Sequence, residues 1–318
     1  MLGRERPLFL GESAYGATTI VPFLLAVFST IFFGCRQEPE PEGPQFGPRP
    51  PSGRPPLYRF AIHPLHNPAK LIGAYQPLMD HLNRQLAGSR FDLEPSRDYA
   101  EFEEKYRKGR PDFLLPNPWQ TLQAMKVGYR VIAMAGEPDD FKGIFVVRRD
   151  SGLTSPAELK GRVVSYPAPT ALAACIMPQY FLFRHGVNVT KDLDNRYVGS
   201  QESAIMNVFL GQSAAGATWP PPWRAFQKEH PGEAAELMLA WETESLINNS
   251  VMVRGDIPAR TAETVRALLL ELDRTAEGRA ILAVMETARF LPATDRDYEV
   301  VARFITRFEK EVRPVEQR

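Results

Sequence analysis

The chain has 318 residues, with 38 Lys or Arg set against 38 Asp or Glu, so its formal charge is zero. No strong field draws it to nucleic acid or to an acidic membrane face, and any binding must come from a local site. The only cysteines, Cys35 and Cys175, provide no framework of internal disulfides.

An apolar run at residues 20–33 is about as long as the h-region of a secretory signal, whereas a spanning helix wants roughly 20 apolar residues. Arg4 and Arg6 precede it, although Glu5 and Glu12 cancel their charge. Phe32-Phe33-Gly34-Cys35 resembles a bacterial lipobox, which implies that residues 1–35 are a signal segment and that Cys35 is lipidated. An uncleaved N-terminal anchor is the alternative, and both readings export the remainder. Residues 36–56 are rich in Pro with Glu, Gly, Ser and Arg, a composition that cannot bury a core and prefers extended conformations. They read as a spacer between a membrane tether and a folded body.

The body is long enough for two lobes, and it alternates strand and helix. LYRFAI is a strand; Pro68 then opens a helix whose apolar positions Leu71, Ile72, Tyr75, Leu78, Met79, Leu82 and Leu86 recur at helical spacing before Gly88 ends it. FDLEP is a strand, Asp98 caps a helix beginning at Tyr99, DFLL is a strand, Pro118 opens the next helix, and YRVIAMA returns as strand. A second alternating unit follows: GIFVVRR, the short capped helix SPAEL, RVVSY, a helix over 171–185, NRYV, a helix over 202–210, and AAGAT. LMLAWETESLINNSVMVRGDIP contains two strand-like pieces that return the chain to the first unit, and three helices seeded by Pro258, Thr275 and Asp295 complete it. Repeated strand-helix-strand order predicts mostly parallel, doubly wound α/β sheets. The expected lobes are 57–138 with 248–318, and 141–245, joined by crossings near 136–142 and 243–249.

Several phrases, in this order, resemble the phosphonate and phosphite binding proteins of bacterial ABC importers: AYQPLMDHL, VVRRDSGLTSPAELKGRVV, VGSQESAIMNVFLGQSAAGAT, VMVRGDIP, and TAEGRAIL with FLPATDRDY. The resemblance spans nearly the whole body. It implies a two-lobed type II periplasmic binding fold that closes on a small molecule in the cleft, a periplasmic location, and an ABC permease as partner. It implies neither a cofactor nor catalysis.

In open α/β sheets ligands sit beyond the carboxyl ends of the strands, so the loops there hold the candidate contacts. The first offers His63 and His66, which read as ligand or loop-packing groups rather than metal ligands because no third ligand cluster accompanies them. Tyr99 opens the capped helix. Asn117 and Trp119 stand at a helix start, as a capped turn or a cleft wall. The loop 165–174 is where phosphonate binders carry Ser and Thr, whose hydroxyls join helix amides around the oxyanion. Here Thr170 alone remains, followed by Ala171, Leu172 and Ala173. Ser200 and Gln201 follow, Gln201 standing where the family often has His, and Ala214 replaces its usual Asp. Thr218, Trp219 and Trp223 surround three prolines, a stiff aromatic segment that either walls the cleft or packs the lobe edge. This set predicts weak binding of phosphate, phosphite and simple alkylphosphonates, and better binding of an organic solute with an apolar or planar part. Cys175 lies in ALAACIMPQYFLF and reads as a buried, inert thiol.

Two functions from different classes fit these features, a receptor feeding an importer and a sensor reporting to a membrane kinase. An enzyme fits less well, since no G-x-S-x-G, H-E-x-x-H or P-loop is present.

Overall fold

The structure is a computed structural model that describes residues 55–316; Cys35 and the spacer up to residue 54 lie outside the described residues. Two sheets organise the body. The first contains β1 (Leu57–Ile62), β2 (Arg90–Glu94), β3 (Phe113–Leu115) and β4 (Tyr129–Ala135), followed in sequence by the second sheet with β5 (Ile144–Arg148), β6 (Val163–Tyr166), β7 (Asp194–Tyr197), β8 (Ala215–Thr218) and β9 (Leu237–Glu242). The chain then returns to the first sheet with β10 (Ser250–Arg254) and β11 (Phe290–Leu291). The orders are β11-β4-β10-β3-β1-β2 and β7-β6-β8-β5-β9.

Parallel pairing is not uniform, and the exceptions follow from the crossings. β1 pairs parallel with β2 and β3, but β10 lies antiparallel between β3 and β4. In the second sheet β6 pairs parallel with β7 and β8, while β5 lies antiparallel between β8 and β9. Each of these antiparallel strands is the first its sheet receives after a crossing. The chain enters from the cleft end, where the parallel strands finish, so it must run the other way.

The helices that flank the sheets start where their caps put them. Asn67 accepts from the Lys70 amide at α1 (Pro68–Gln85), Asp98 from the Glu101 amide at α2 (Tyr99–Arg107), and Asn117 forms a reciprocal box with Gln120 at α3 (Pro118–Met125). The helix expected over 171–185 has two parts: a wide π turn at Leu172–Ile176, then α4 (Met177–Arg184). Pro178 lacks the N–H that an α-helix would pair with Ala174, which favours the wider turn. Ser200 caps α5 (Gln201–Phe209). The proline segment is helical rather than extended: Pro220–Pro222 form the first turn of α6 (Pro220–Glu229), where missing amide donors leave no intrahelical bond unmade. Short α7 (Pro231–Ala235) follows, and α8 (Ala259–Glu271), α9 (Ala276–Val284) and α10 (Glu299–Glu311) close the chain. No helix of the described residues is long and apolar enough to cross a membrane.

The two crossings run side by side. The Leu246 amide donates to Phe141 O at 2.9 Å, the Gly143 amide to Thr243 Oγ1 at 2.9 Å, and Asn248 Nδ2 to Glu137 O at 2.8 Å. Gly136 has φ +82°, and a Cβ there would lie 2.7 Å from Asn248 Nδ2, so this bend needs glycine twice over.

Candidate functional site

The direction of each strand decides which residues reach the cleft. Loops after β1, β3, β6 and β8 bring His63, Asn117, residues 171–174 and Trp219 to one place. Because β5 and β10 run antiparallel, the residues that precede them, Phe141 and Asn249, arrive at the same place. With Tyr99 these groups line a cavity of about 10 Å³, room for about one water, so loops of the two sheets meet across the cleft.

One wall is the helix start. Ala171 supplies no side-chain cap, and Leu172, Ala173, Ala174 and Cys175 are buried. The Ile176 amide bonds Ala171 O at 3.1 Å, but no group among the described residues outside the helix accepts from the amides of Leu172, Ala173 or Ala174 at its start. Unpaired buried amides are rare because each costs about 1–3 kcal/mol. Three at a helix start form a concentrated donor surface for a negatively charged or strongly polar group.

Thr170, the hydroxyl retained in this loop, is turned away from that surface. Its Oγ1 donates to Glu103 Oε1 on α2 at 2.7 Å, and its carbonyl accepts from Asn117 Nδ2 at 3.1 Å. Both bonds tie the loop after β6 to elements that flank the first sheet. Burial raises the Glu103 pKa, and the hydrogen bonds from Thr170 and Gln120 oppose that rise.

The opposite wall is neutral and polar. His63 Nδ1–H donates to Leu115 O at 2.9 Å, which leaves Nε2 as an acceptor; burial lowers this imidazole's pKa to about 4, so it is uncharged at neutral pH. Gln201 Nε2 donates to Tyr99 OH at 3.3 Å, and Thr218 Oγ1 donates to Gln201 Oε1 at 2.8 Å. That chain fixes Tyr99 and leaves its hydroxyl proton free to be offered. Asn249 Oδ1 is buried without a hydrogen-bond partner. Phe141 and Trp219, with ring centroids 5.5 Å apart, form the aromatic side.

Five of the residues expected to contact a solute therefore line the cavity: His63, Tyr99, Asn117, Ala171 and Trp219. Gln201, Thr218 and Thr170 stand behind them. His66, Ser200, Trp119 and Trp223 lie elsewhere. Trp119 packs in the core beside α10, Trp223 stacks on Phe226 in the core of the second lobe, and Ser200 is occupied as a helix cap. His66 is buried, with burial as the main cause of a pKa lowered to about 3. Sequence reasoning missed Phe141, Asn249 and Glu103, which depend on antiparallel strand entry or on packing across the cleft. The Asn248-Asn249 pair at a crossing was the one available signal. Cys175 is fully buried, and burial pushes its thiol up to about 12. Among the described residues no group of three or more His, Cys, Asp or Glu is placed to hold a metal ion.

A family model described as the periplasmic substrate-binding protein of phosphonate ABC transporters matches residues 60–298. A probable ABC transporter phosphite binding protein of Prochlorococcus marinus is 26% identical over 182 residues, which cover 53% of this chain and 61% of the relative. The tetrathionate sensor histidine kinase of Salmonella typhimurium is 24% identical over 171 residues, or 51% of this chain and 29% of the kinase. The chain thus spans less than two thirds of either curated relative. The solved structure of the Prochlorococcus protein in complex with methylphosphonate superposes with a TM-score of 0.74 at 22% identity, covering 81% of this chain and 100% of that one. With two sheets flanked by helices and a family match over residues 60–298, the chain belongs to the periplasmic substrate-binding proteins of phosphonate-type ABC transporters.

Proposed function

We propose that this protein captures a small organic solute with an anionic or strongly polar head and an apolar or planar body, and delivers it to an ABC permease. The observation that carries this reading is the cavity wall itself: the amides of Leu172, Ala173 and Ala174, with no acceptor outside their helix, faced by Phe141 and Trp219. Once the cleft opens to admit the solute, its head would take the amides of Leu172–Ala174, with Asn249, Tyr99 and His63 available to its polar rim. The apolar part would lie against the two rings. The missing hydroxyls at 171–173, and the engagement of Thr170 with Glu103, argue against tight binding of phosphite or a simple alkylphosphonate. Each absent hydrogen bond to a charged group is worth roughly 1.5–3 kcal/mol.

Native mass spectrometry of the gently released protein would weigh a copurified solute, and calorimetry with phosphite and methylphosphonate tests the selectivity. Submicromolar affinity for either would overturn the proposed preference. We further propose that Cys35 carries a lipid and that the proline-rich spacer lets the body move above the membrane. Cys35→Ala should release membrane association or block processing; unchanged attachment would assign anchoring to the apolar run.

Similarity to the Salmonella sensor kinase favours a second reading, in which the same closing body reports solute to a membrane kinase. Uptake of the identified solute in a strain lacking this protein separates the two. Lost uptake supports import, whereas normal uptake with a lost transcriptional response supports sensing.

A further inference from the structure

We propose that Arg313 makes the cleft select an anion, acting through the first turn of the cleft helix rather than by touching the solute. This rests on the reading of the cleft as a solute site. Arg313 follows α10 in the C-terminal tail and is 8% exposed. Its guanidinium spends its donors on neutral acceptors alone: Nε on Gln179 Oε1 at 2.8 Å, Nη1 on Pro314 O at 2.8 Å and Val315 O at 3.4 Å, and Nη2 on Pro169 O at 3.2 Å and Cys175 Sγ at 3.6 Å. No carboxylate among the described residues lies within ion-pairing distance of it. Arg107 pairs instead with Glu103 at 3.4 Å and with Glu316.

A buried, unpaired cation is costly, and proteins retain few without a reason. The place of this one supplies the reason. Pro169 lies just before the cleft helix and Cys175 lies in its first turn, so the charge grips the turn that presents the amides of Leu172, Ala173 and Ala174 to the cavity. The cavity lining contributes no formal charge at neutral pH, since His63, Tyr99, Asn117 and Asn249 are all uncharged there. Positive potential therefore comes from the amides and from Arg313 behind them, in a region of low dielectric where such a charge is weakly screened. A cation under the turn adds to the positive potential that the amides offer a solute. A guanidinium satisfied by neutral acceptors keeps its whole charge for the site.

The test uses the full chain in detergent and pairs each anion with an uncharged analogue: methanesulfonate with methanesulfonamide, benzoate with benzamide, methylphosphonate with its dimethyl ester. Dissociation constants come from thermal shift and calorimetry for the wild type, Arg313→Lys and Arg313→Gln. We expect at least one anion to be preferred over its analogue by the wild type, the preference to fall at least tenfold in Arg313→Gln, and Arg313→Lys to retain most of it. Should Arg313→Gln fail to fold, Gln179→Glu decides, because it places a carboxylate against Nε and should cancel the preference with Arg313 still in place. An unchanged preference in Arg313→Gln or Gln179→Glu overturns the assignment. So does equal weakening of anion and analogue in both Arg313 variants, which would mean a structural strap. A wild type with no preference for any anion overturns the anionic reading of the cleft, and this assignment with it.

Discussion

Asn249 lines the cavity and its side-chain carbonyl oxygen is buried without a partner among the described residues, so the free protein bears the cost of an unsatisfied acceptor. Asn249→Ala should therefore leave the unfolding free energy of the solute-free protein within about 1 kcal/mol of wild type, yet weaken solute binding. Urea unfolding alongside titration of the copurified solute checks both halves. Gly143 makes the opposite demand. A Cβ at this position would lie 2.5 Å from Ala173 O and 2.7 Å from Pro178 Cγ. Gly143→Ala should push the π turn outward, costing about 1–3 kcal/mol of stability and degrading the donor surface, measurable as a lower urea midpoint and a larger dissociation constant. The two buried histidines set the acid limit. Burial lowers His63 to about 4 and His66 to about 3 from the ordinary 6.5, so the unfolded chain takes up protons that the folded chain refuses. The stability they permit is fully present above about pH 6.5 and is lost as pH falls toward 4, by about 3 kcal/mol for His63 alone. A His63→Gln, His66→Gln double variant should show a flatter dependence of urea midpoint on pH over that window.

At the scale of one element, the segment from Ala171 to Arg184 carries most of the site. Its composition is apolar, its first residue provides no cap, and a π turn replaces the first α turn ahead of Pro178. These features leave backbone amides as the donors that its first turn offers to the cavity. Ala171→Ser together with Ala173→Ser should return side-chain donors to the surface and raise methylphosphonate affinity at least tenfold, since one hydrogen bond to a charged group is worth roughly 1.5–3 kcal/mol. Ala171→Ser also provides an N-cap, worth about 1 kcal/mol of stability. No gain in calorimetric affinity would mean that the amides alone saturate the anion. Helix α6 plays a different part, because Arg224, Lys228 and Glu229 on it all reach the first lobe or the crossing.

Across the whole molecule, those contacts form an ionic rim around the closed cleft. Arg224 pairs with Asp140 at 2.8 Å and Glu286 at 3.2 Å, Lys228 pairs with Glu286, and Lys70 on α1 pairs with Glu229 at 2.6 Å. Exposed pairs contribute little singly, up to about 1 kcal/mol each. Several acting together can still shift a balance between open and closed lobes. Raising salt from about 0.1 M to about 1 M shortens the screening length from roughly 10 Å to roughly 3 Å. The radius of gyration of the solute-free protein, by small-angle scattering, should then increase, and Glu286→Lys should increase it at low salt. Bound solute should remove both effects. Identical profiles under all these conditions would mean that the rim does not govern closure.

The sequence alone carried the fold, because hydrophobic periodicity and cap residues such as Asn67, Asp98 and Asn117 are local properties. It also carried the family, through phrases strung along nearly the whole body. Candidates in loops after parallel strands were legible for the same reason: a residue one step beyond an apolar run must lie at the strand's carboxyl end, which is how His63, Asn117, Ala171 and Trp219 came to view. Tertiary structure decided the rest. Whether a tryptophan faces cleft or core depends on how a helix is rotated against its sheet, so Trp119 and Trp223 entered the core and Trp219 the cavity. Phe141 and Asn249 reach the site only because β5 and β10 enter antiparallel. Arg313 lies far along the chain from Pro169 and Cys175, and only the packing of α10 and its tail places beneath the cleft helix a charge with no carboxylate partner among the described residues.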